Sequence, residues 1–411
     1  MRILIATHHL DIIGGLETHL RSVLPLLRGA GHSLRVVAED PPTDRKGILD
    51  DCPEIEVIRA PAGAEARVLR AVADWSPDVI YQHGLGSAEL EASLADRYPS
   101  VLYAHGYFGT CVSGSKCHSW PSQKVCERAL GPACLGIFPV LRCGGRNPVT
   151  MLRMYGDQRS HQRALTKQRK VLVASRHMAA EYRRNGVAED RLQILPHYPP
   201  DVVPDAEPPA LRSPTNRVLF TGRIMRLKGL HVLIDALPIA QEALGRELTL
   251  VVAGDGPERA AAERQAARGK ARVEFLGWLS SERRNEEMRA ADVLAIPSLW
   301  PEPFGLVGIE AGCVGTPGVG YAVGGIPDWL IPGRSGELAP ADALDAPSLA
   351  AALARALKDG AHWSALRRGA WDVAKEFSRE RHVSALLSVL EGVAAPIASS
   401  LPGGAHDVSH A

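Results

Sequence analysis

The sequence predicts an α/β protein of two domains, each built on a parallel sheet that helices cover on both faces. The chain has 411 residues, which is too long for a single ordinary hydrophobic core. Short apolar runs alternate with segments of helical periodicity, the pattern of a buried parallel sheet. This rhythm stops at 199–214, where six of sixteen residues are proline, and then restarts. We therefore predict a first domain over 1–198, a linker over 199–214 and a second domain over 215–376.

In the first domain, the apolar runs predict strands at 2–7, 33–39, 55–60, 78–83, 101–105, 170–175 and 192–196. Helical spacing of apolar residues predicts helices at 16–27 and 64–75. A cysteine-rich insertion at 111–143 follows the fifth strand.

In the second domain, the predicted strands are 217–222, 248–254, 273–277, 292–296 and 316–320, with helices at 259–268, 349–357 and 363–373. A last helix is predicted over 377–393, with Ser378 as its N-cap. Small residues, Pro and Gly over 394–411 predict a disordered tail.

The composition argues against nucleic-acid-binding and membrane-spanning proteins. The formal net charge of +1 gives no general case for nucleic-acid binding. No apolar run reaches the roughly 18 residues that a spanning helix needs. His8, His9 and Asp11 interrupt the first apolar run before a signal-peptide core forms. A cytoplasmic location is the resulting expectation.

Gly14 and Gly15 lie between the first strand and the first helix, at the crevice where open α/β sheets bind ligands. The alternative interpretation is a tight turn that needs positive φ. The G-x-G-x-x-G spacing is absent here, and Gly254-Asp-Gly256 also lacks a third glycine. Both observations argue against a nicotinamide-dependent dehydrogenase.

The segment 222–229 places Arg223 and Lys228 just past a strand end, between Gly222 and Gly229. A planar guanidinium and a point-charge ammonium can together neutralise a diphosphate. The alternative is a solvated pair of surface cations.

The segment 297–312 carries Glu302 between two prolines, then a helix start, then Glu310. Backbone N–H groups at Phe304, Gly305 and Leu306 would be free donors at a positive helix end. In an all-helical segment the carboxylates would be roughly 12 Å apart, which suits the hydroxyls at the two ends of a nucleotide-sugar. An acid/base pair or solvated carboxylates are the alternatives. No Asp-x-Asp follows a strand end, so no Mg²⁺ or Mn²⁺ site is expected.

These motifs, in this order, resemble glycosyltransferase family 4. The matching segments are 14–17, 222–229, 252–257, 302–310, 324–327 and 377–382. The resemblance implies the GT-B fold: two Rossmann-like domains facing each other across a cleft, with a C-terminal helix crossing back to the first domain. It also implies a retaining, metal-independent reaction on one face of the sugar, without a protein nucleophile.

The resemblance also implies roles for single residues. Glu310 would bind the ribose and Glu302 the donor sugar, while Arg223 and Lys228 would stabilise the leaving diphosphate. The backbone of Phe304, Gly305 and Leu306 would contact sugar and phosphate, and His105 the donor sugar. Other donor-binding candidates are Gly14, Gly15, Gly222 and Gly254. His105 as general base is a minority interpretation. Where many relatives carry Glu and an apolar residue after 325–327, this chain has Asp328-Trp329.

Five cysteines crowd the insertion, at positions 111, 117, 126, 134 and 143, beside His118. Three interpretations compete: a structural zinc ion held by Cys117, Cys126, Cys134 and Cys143, disulfides, or reduced cysteines. No C-x-x-C spacing occurs. Because the insertion follows the fifth strand, where a GT-B acceptor would enter, we predict that it shapes acceptor selection. Glu17, Cys111 and Cys117 are the acceptor-side candidates.

The segment 141–170 holds eight Arg or Lys residues and one acid, Asp157. A solvated helix face explains it most simply, and contact with an anionic membrane or a phosphorylated carrier is the alternative.

The sequence thus predicts a glycosyltransferase that moves a hexosyl unit from a nucleotide-diphosphate sugar to a glycan, lipid-linked or small-molecule acceptor. It would need no cofactor for catalysis. A nucleotide-sugar epimerase of the same fold and a catalytically silent nucleotide-sugar-binding subunit are the alternatives.

Overall fold

A computed structural model describes residues 1–41 and 43–395 and contains two large parallel sheets. The first sheet has seven strands in the order β3-β2-β1-β4-β5-β8-β9. Their bounds are β1 Arg2–Thr7, β2 Ser33–Ala38, β3 Glu56–Arg59, β4 Val79–Gln82, β5 Ser100–Ala104, β8 Lys170–Val173 and β9 Leu192–Ile194. All seven predicted strands are confirmed, with ends shifted by one to two residues.

The second sheet has six strands in the order β12-β11-β10-β13-β14-β15. Their bounds are β10 Arg217–Thr221, β11 Thr249–Ala253, β12 Arg272–Gly277, β13 Val293–Ile296, β14 Gly318–Tyr321 and β15 Gly336–Ala339. The first five match predicted strands. The sixth, Gly-Glu-Leu-Ala, has no apolar run and was not predicted.

Six helices accompany the first sheet: α1 Gly15–Gly29, α2 Glu65–Trp75, α3 Ala88–Arg97, α4 Ala133–Val140, α5 Pro148–Leu165 and α6 Arg176–Arg184. Seven follow the linker: α7 Leu230–Leu244, α8 Arg259–Arg268, α9 Ser281–Ala290, α10 Leu306–Cys313, α11 Ala346–Ala356, α12 Gly360–Ala374 and α13 Arg379–Ala394.

Both faces of the first sheet are buried, which explains its continuous apolar runs. In β1, Ile3 and Ile5 belong to a core that includes residues of α1 and α13. The alternate residue Leu4 points into a second core, with residues of α2 and α3. Because successive side chains of a strand point to opposite faces, a strand covered on both sides shows no polar alternation.

The last helix crosses back to the first domain, as predicted. Ser378 caps it by accepting a hydrogen bond from the N–H of Arg381. Leu386 and Leu390 are buried in the core of the first domain. The helix ends at Ala394, so the start of the predicted tail was placed one residue too early, and 396–411 lie outside the described residues.

The insertion after β5 is a small unit with little core of its own. Two-residue strands β6 (Cys117–His118) and β7 (Lys124–Val125) pair in an antiparallel manner and precede α4. Its buried cluster has four members, Val112, Leu130, Phe138 and Met151. Within the described residues, no helix combines the length and apolar character needed to cross a bilayer.

Candidate functional site

The candidate site lies where the strands of the second sheet end. The loop after β13 carries Glu302, and the loop after β10 carries Arg223 and a single 3-10 turn, Arg226–Lys228. Because β10 and β13 are parallel neighbours, their carboxyl ends lie side by side. In open α/β sheets this edge is the usual ligand crevice.

Glu302 is 5% exposed, and its hydrogen bonds converge on one carboxylate oxygen. Oε1 accepts from Lys228 Nζ at 2.6 Å, from Ser298 Oγ at 2.5 Å and from Trp300 Nε1 at 3.1 Å. Oε2 has no hydrogen-bond partner among the described residues. The carboxylate is therefore held rigidly by one oxygen, and the other can accept from a ligand hydroxyl.

Lys228 and Arg223 differ in how much of their charge is already neutralised. The ammonium of Lys228 is paired with Glu302 and lies 5.7 Å from the ring centre of Trp300. Arg223 is exposed, and it forms no ion pair with any residue of the described ranges. A diphosphate could thus bind the guanidinium fork of Arg223 directly, while Lys228 would have to be shared with Glu302.

Gly222 and Gly254 bring two strand-end loops into direct contact. A Cβ on Gly254 would lie 2.0 Å from the carbonyl oxygen of Gly222, so no larger residue fits there. The N–H of Gly222 donates to Ala253 O at 3.1 Å. This packing positions Arg223, which follows Gly222 directly.

Helix α10 begins at the crevice, as predicted for an anion-binding helix start. Gly305 is its N-cap with φ +82°, a conformation that favours glycine. The ring of Phe304 is buried against Phe377, with ring centres 5.4 Å apart. The side chain of Phe304 therefore anchors the loop, and its backbone N–H is the group left to serve a ligand.

Glu310 lies in α10 and is 7% exposed. Burial raises the pKa of this carboxyl, and the nearby Arg284 opposes the shift. Arg284 Nη2 donates to Glu310 Oε1 at 3.3 Å from helix α9. No sequence pattern distinguishes Arg284, because α9 is a polar helix with several similar arginines. A carboxylate with one long hydrogen bond retains capacity for ribose hydroxyls.

Asp328 and Trp329 support the loop after β13. Trp329 contacts it within the second domain, and Asp328 contacts the first domain. Trp329 is buried and its Nε1 donates to Phe304 O at 2.7 Å. A Cβ on Gly308 would lie 1.9 Å from the Trp329 ring. Asp328 accepts from the backbone N–H of Arg176 in the first domain at 2.7 Å. This departure from the family pattern is thus a structural support for α10 and a contact between domains.

Two more contacts reach the loop from the first domain. Tyr107 O–H donates to Pro301 O at 2.7 Å, and Ser175 O–H donates to Pro303 O at 2.6 Å. Both carbonyls flank Glu302. The first domain therefore helps to set the position of this carboxylate.

Gly14 and Gly15 are exposed at the start of α1, and neither has positive φ. The tight-turn interpretation is therefore wrong. A Cβ on Gly15 would meet nothing within 4 Å, so the space beside it is open. Glu17 is 4% exposed, with its carboxylate close to Gly14.

A cluster of buried and half-buried imidazoles lies between the strand ends of the first domain and α13. Its members are His19, His83, His105, His197 and His382. His83 Nδ1 and His105 Nε2 are 2.8 Å apart, and the rings of His105 and His197 stack at 5.2 Å. His197 also contacts Phe304 of the loop after β13, with ring centres 6.2 Å apart. Of these five histidines, only His105 is a candidate from the sequence.

Burial and the neighbouring His83, His197 and His382 lower the pKa of His105 well below its usual value. Such an imidazole is neutral at pH 7 and a weak base. The lowered pKa therefore suits His105 to hydrogen bonding better than to proton abstraction.

The five cysteines of the insertion lie near one another, and the described residues contain no disulfide between them. Burial raises the pKa of Cys143 to about 12, and the other four thiols contribute to the shift. His118 Nδ1 is 3.4 Å from Cys143 Sγ. Among the described residues, no three of these sulfur atoms lie within 4.8 Å of one another. The structure thus groups the predicted ligands Cys117, Cys126, Cys134 and Cys143 without assembling them, and the zinc site stays a prediction.

The basic segment 141–170 contains α5, and most of its cationic side chains are exposed. This is the arrangement that the solvated-helix interpretation expects.

Comparison with known proteins places this geometry in a wider class. HepE of Anabaena, solved in complex with UDP and glucose, superposes with a TM-score of 0.67 at 19% identity. The match covers 95% of this chain and 100% of that one. Sucrose-phosphate synthase of Thermosynechococcus elongatus gives a TM-score of 0.67 at 21% identity, covering 96% and 99%. The fold is that of the GT-B glycosyltransferases.

Family models agree with the fold. The model described as "Glycosyltransferase Family 4" matches residues 13–197, and "Glycosyl transferases group 1" matches 205–371. Together they span most of the chain. It belongs to glycosyltransferase family 4.

Among curated relatives, the D-inositol 3-phosphate glycosyltransferase of Salinispora tropica is 39% identical over 183 residues, 42% of this chain and 37% of the relative. The 2-deoxystreptamine glucosyltransferase of Streptomyces kanamyceticus is 38% identical over 141 residues, 34% of each chain. The chain matches about a third to a half of the length of the curated relatives.

Proposed function

We propose that this protein is a retaining glycosyltransferase that uses a nucleotide-diphosphate sugar as donor. The observation that carries the proposal is the convergence of Arg223, Lys228, Glu302 and the start of α10 on one crevice. Cations and backbone donors would meet the diphosphate, and carboxylates would meet hydroxyls. Structural neighbours that bind UDP and UDP-glucose support this donor class.

In the proposed reaction, an acceptor hydroxyl attacks the anomeric carbon on the face that the diphosphate leaves. The bond from C1 to the phosphate oxygen breaks, a bond from C1 to the acceptor oxygen forms, and the hydroxyl proton passes to the departing phosphate. Arg223 and Lys228 would stabilise the charge that the diphosphate gains. Glu302 would hold the sugar through Oε2, and no side chain would need to act as nucleophile or base.

A thermal-shift screen against UDP-, GDP-, ADP- and TDP-sugars tests donor binding, because a ligand of the native state raises its apparent stability. At least one donor should raise the melting temperature, and Glu310→Ala should reduce that shift. Glu263→Ala, in an exposed helix of the same domain, is the matched control. An equal shift in Glu310→Ala would refute the ribose role.

An acceptor assay then tests transfer itself. Because the named relatives act on inositol phosphate and 2-deoxystreptamine, the panel begins with phosphorylated and amino cyclitols. Nucleotide release that requires the acceptor would support transfer. Donor binding with no turnover on any acceptor would favour a silent binding subunit.

We also propose that the insertion at 111–143 shapes acceptor choice and that 141–170 allows peripheral contact with anionic membranes. The insertion packs beside Tyr107, whose hydroxyl reaches the donor-side loop. Sedimentation with vesicles of anionic lipid tests the membrane contact, and binding that is absent or insensitive to salt would remove it.

A further inference from the structure

Two histidines and an aspartate meet at the crevice of the first sheet, apart from the donor-side residues. His8 and His9 directly follow β1, and Asp40 lies two residues beyond β2, its neighbour in the sheet. The carbonyl of His8 accepts the N–H groups of Glu39 and Asp40 at 3.2 and 3.0 Å. The backbone itself therefore holds these side chains together.

The three side chains offer ligand atoms from one small volume. His8, His9 and Asp40 each contribute one atom, and all three atoms lie within 4.8 Å of one another. Asp40 Oδ2 is 2.6 Å from His9 Nδ1 and 3.7 Å from His8 Nε2. Metal–ligand distances near 2.1 Å need only small side-chain adjustments from this arrangement.

A second carboxylate orients His8. Glu39 Oε2 is 2.6 Å from His8 Nδ1, so a proton held on that nitrogen would leave Nε2, the atom nearer Asp40, to bind a metal ion. Glu39 is fixed in turn by the N–H groups of Gly86 at 2.5 Å and Ser87 at 2.8 Å. A carboxylate on the far nitrogen of an imidazole is the usual support of a metal-bound histidine.

The cluster is open to solvent on one side. The side chains of His8, His9 and Asp40 are 41, 31 and 48% exposed. Three protein ligands with an open face leave coordination positions for water or a ligand oxygen. Two imidazoles and one carboxylate suit divalent first-row transition metals, and the carboxylates nearby disfavour an anion.

We propose that His8, His9 and Asp40 bind a divalent transition-metal ion, with Glu39 as a positioning residue for His8. Like the exposed Gly14 and Gly15, these residues follow strands of the first sheet at its carboxyl edge. This last role rests on the proposed function: an oxygen of the acceptor would take an open coordination position on the metal ion.

Titration of the full chain with Co²⁺ tests the site, because its absorption separates nitrogen and oxygen ligands from cysteine thiolates. We expect one ion per chain without sulfur-to-metal charge transfer. Asp40→Asn should abolish this binding, and Glu39→Gln should weaken it by about 10- to 100-fold. His32→Ala, a half-buried histidine at the opposite edge of the sheet, is the matched control and should bind normally.

Circular dichroism would establish that each variant is folded. Unchanged Co²⁺ affinity in Asp40→Asn would overturn the proposal, as would bound metal that shows only thiolate charge transfer. The titration needs no donor and no acceptor. Its failure is therefore distinguishable from failure of the proposed glycosyl transfer.

Discussion

Acidification should destabilise this protein well before its carboxylates protonate, because its histidine cluster is buried and uncharged. Burial, with the neighbouring His197, lowers the pKa of His83 to about 3. Burial also lowers the pKa of His197 to about 3, with His382 adding to the shift. For His382, burial lowers the pKa to about 4. In the unfolded chain each of these groups titrates near 6.5.

The sign and size of the effect follow from these pKa values. Below pH 6.5 the unfolded state binds protons that the folded cluster refuses, so stability falls with pH until the folded pKa values are reached. One pH unit below 6.5, each such histidine costs about 1.4 kcal/mol. His83, His197 and His382 together would cost about 4 kcal/mol at pH 5.5, against a typical total of 5–15 kcal/mol. His8 and His161, whose pKa values are raised, contribute a constant term below pH 6.5.

Urea unfolding followed by tryptophan fluorescence, at intervals between pH 7.5 and 5.0, measures this dependence. The free energy of unfolding should fall with a slope of at least about three protons below pH 6.5. The ring nitrogen Nδ1 of His382 donates to the carbonyl of Pro196 at 2.7 Å, and a glutamine side chain can keep that hydrogen bond. His382→Gln should therefore lower the slope by about one proton without removing the contact. His362→Gln, in α12 and outside the cluster, is the control. A flat profile down to pH 5.5, or an unchanged slope in His382→Gln, would refute the reasoning.

Three further predictions address the site and the insertion. Gly308→Ala places a methyl group against the Trp329 ring and should lower the free energy of unfolding, measured in urea, by about 1–3 kcal/mol. Gly392→Ala, at an exposed position of α13 with nothing near the added methyl group, should leave stability unchanged or raise it. Equal effects would contradict the steric account. Lys228→Met should lower kcat about 10²- to 10³-fold with the correct donor, while Lys375→Met, far from the crevice, should not; equal rates would remove Lys228 from the mechanism. If the zinc interpretation of the insertion holds, metal analysis of pure protein will find zinc that is lost in Cys126→Ser but not in Cys52→Ser; fewer than about 0.2 equivalents would end the zinc hypothesis.

Local sequence patterns predicted what depends on neighbouring residues. Strands buried on both faces appear as apolar runs, which is why β1 and β13 are predicted and β15, a short strand that contains Glu337, is not. Ser378 was identified as a cap because capping is a local hydrogen bond.

Within the site, the residues carried by contiguous motifs were found and their partners from distant segments were not. Glu302 and Glu310 stood in a recognisable run, but Arg284 reaches Glu310 from another helix. Trp329 was noticed only as a departure from the family pattern, and its contact with Gly308 depends on packing between separate elements. Such pairings are set by tertiary structure and leave no periodicity in the sequence.

The contacts between the domains suggest how firmly the cleft is closed. Tyr107 and Ser175 donate to the carbonyls of Pro301 and Pro303, and Arg176 donates to Asp328. On opening, each carbonyl or carboxylate would exchange a protein partner for water, at a net cost of about 0.5–1.5 kcal/mol per hydrogen bond. The apolar core shared by residues of both domains adds to the cost of opening, and the hydrogen bonds named above amount to a few kcal/mol by themselves. Since two of them act on the residues beside Glu302, opening would also release the carboxylate from its position. Donor release and loss of the organised site would then be one event, and closure would restore both.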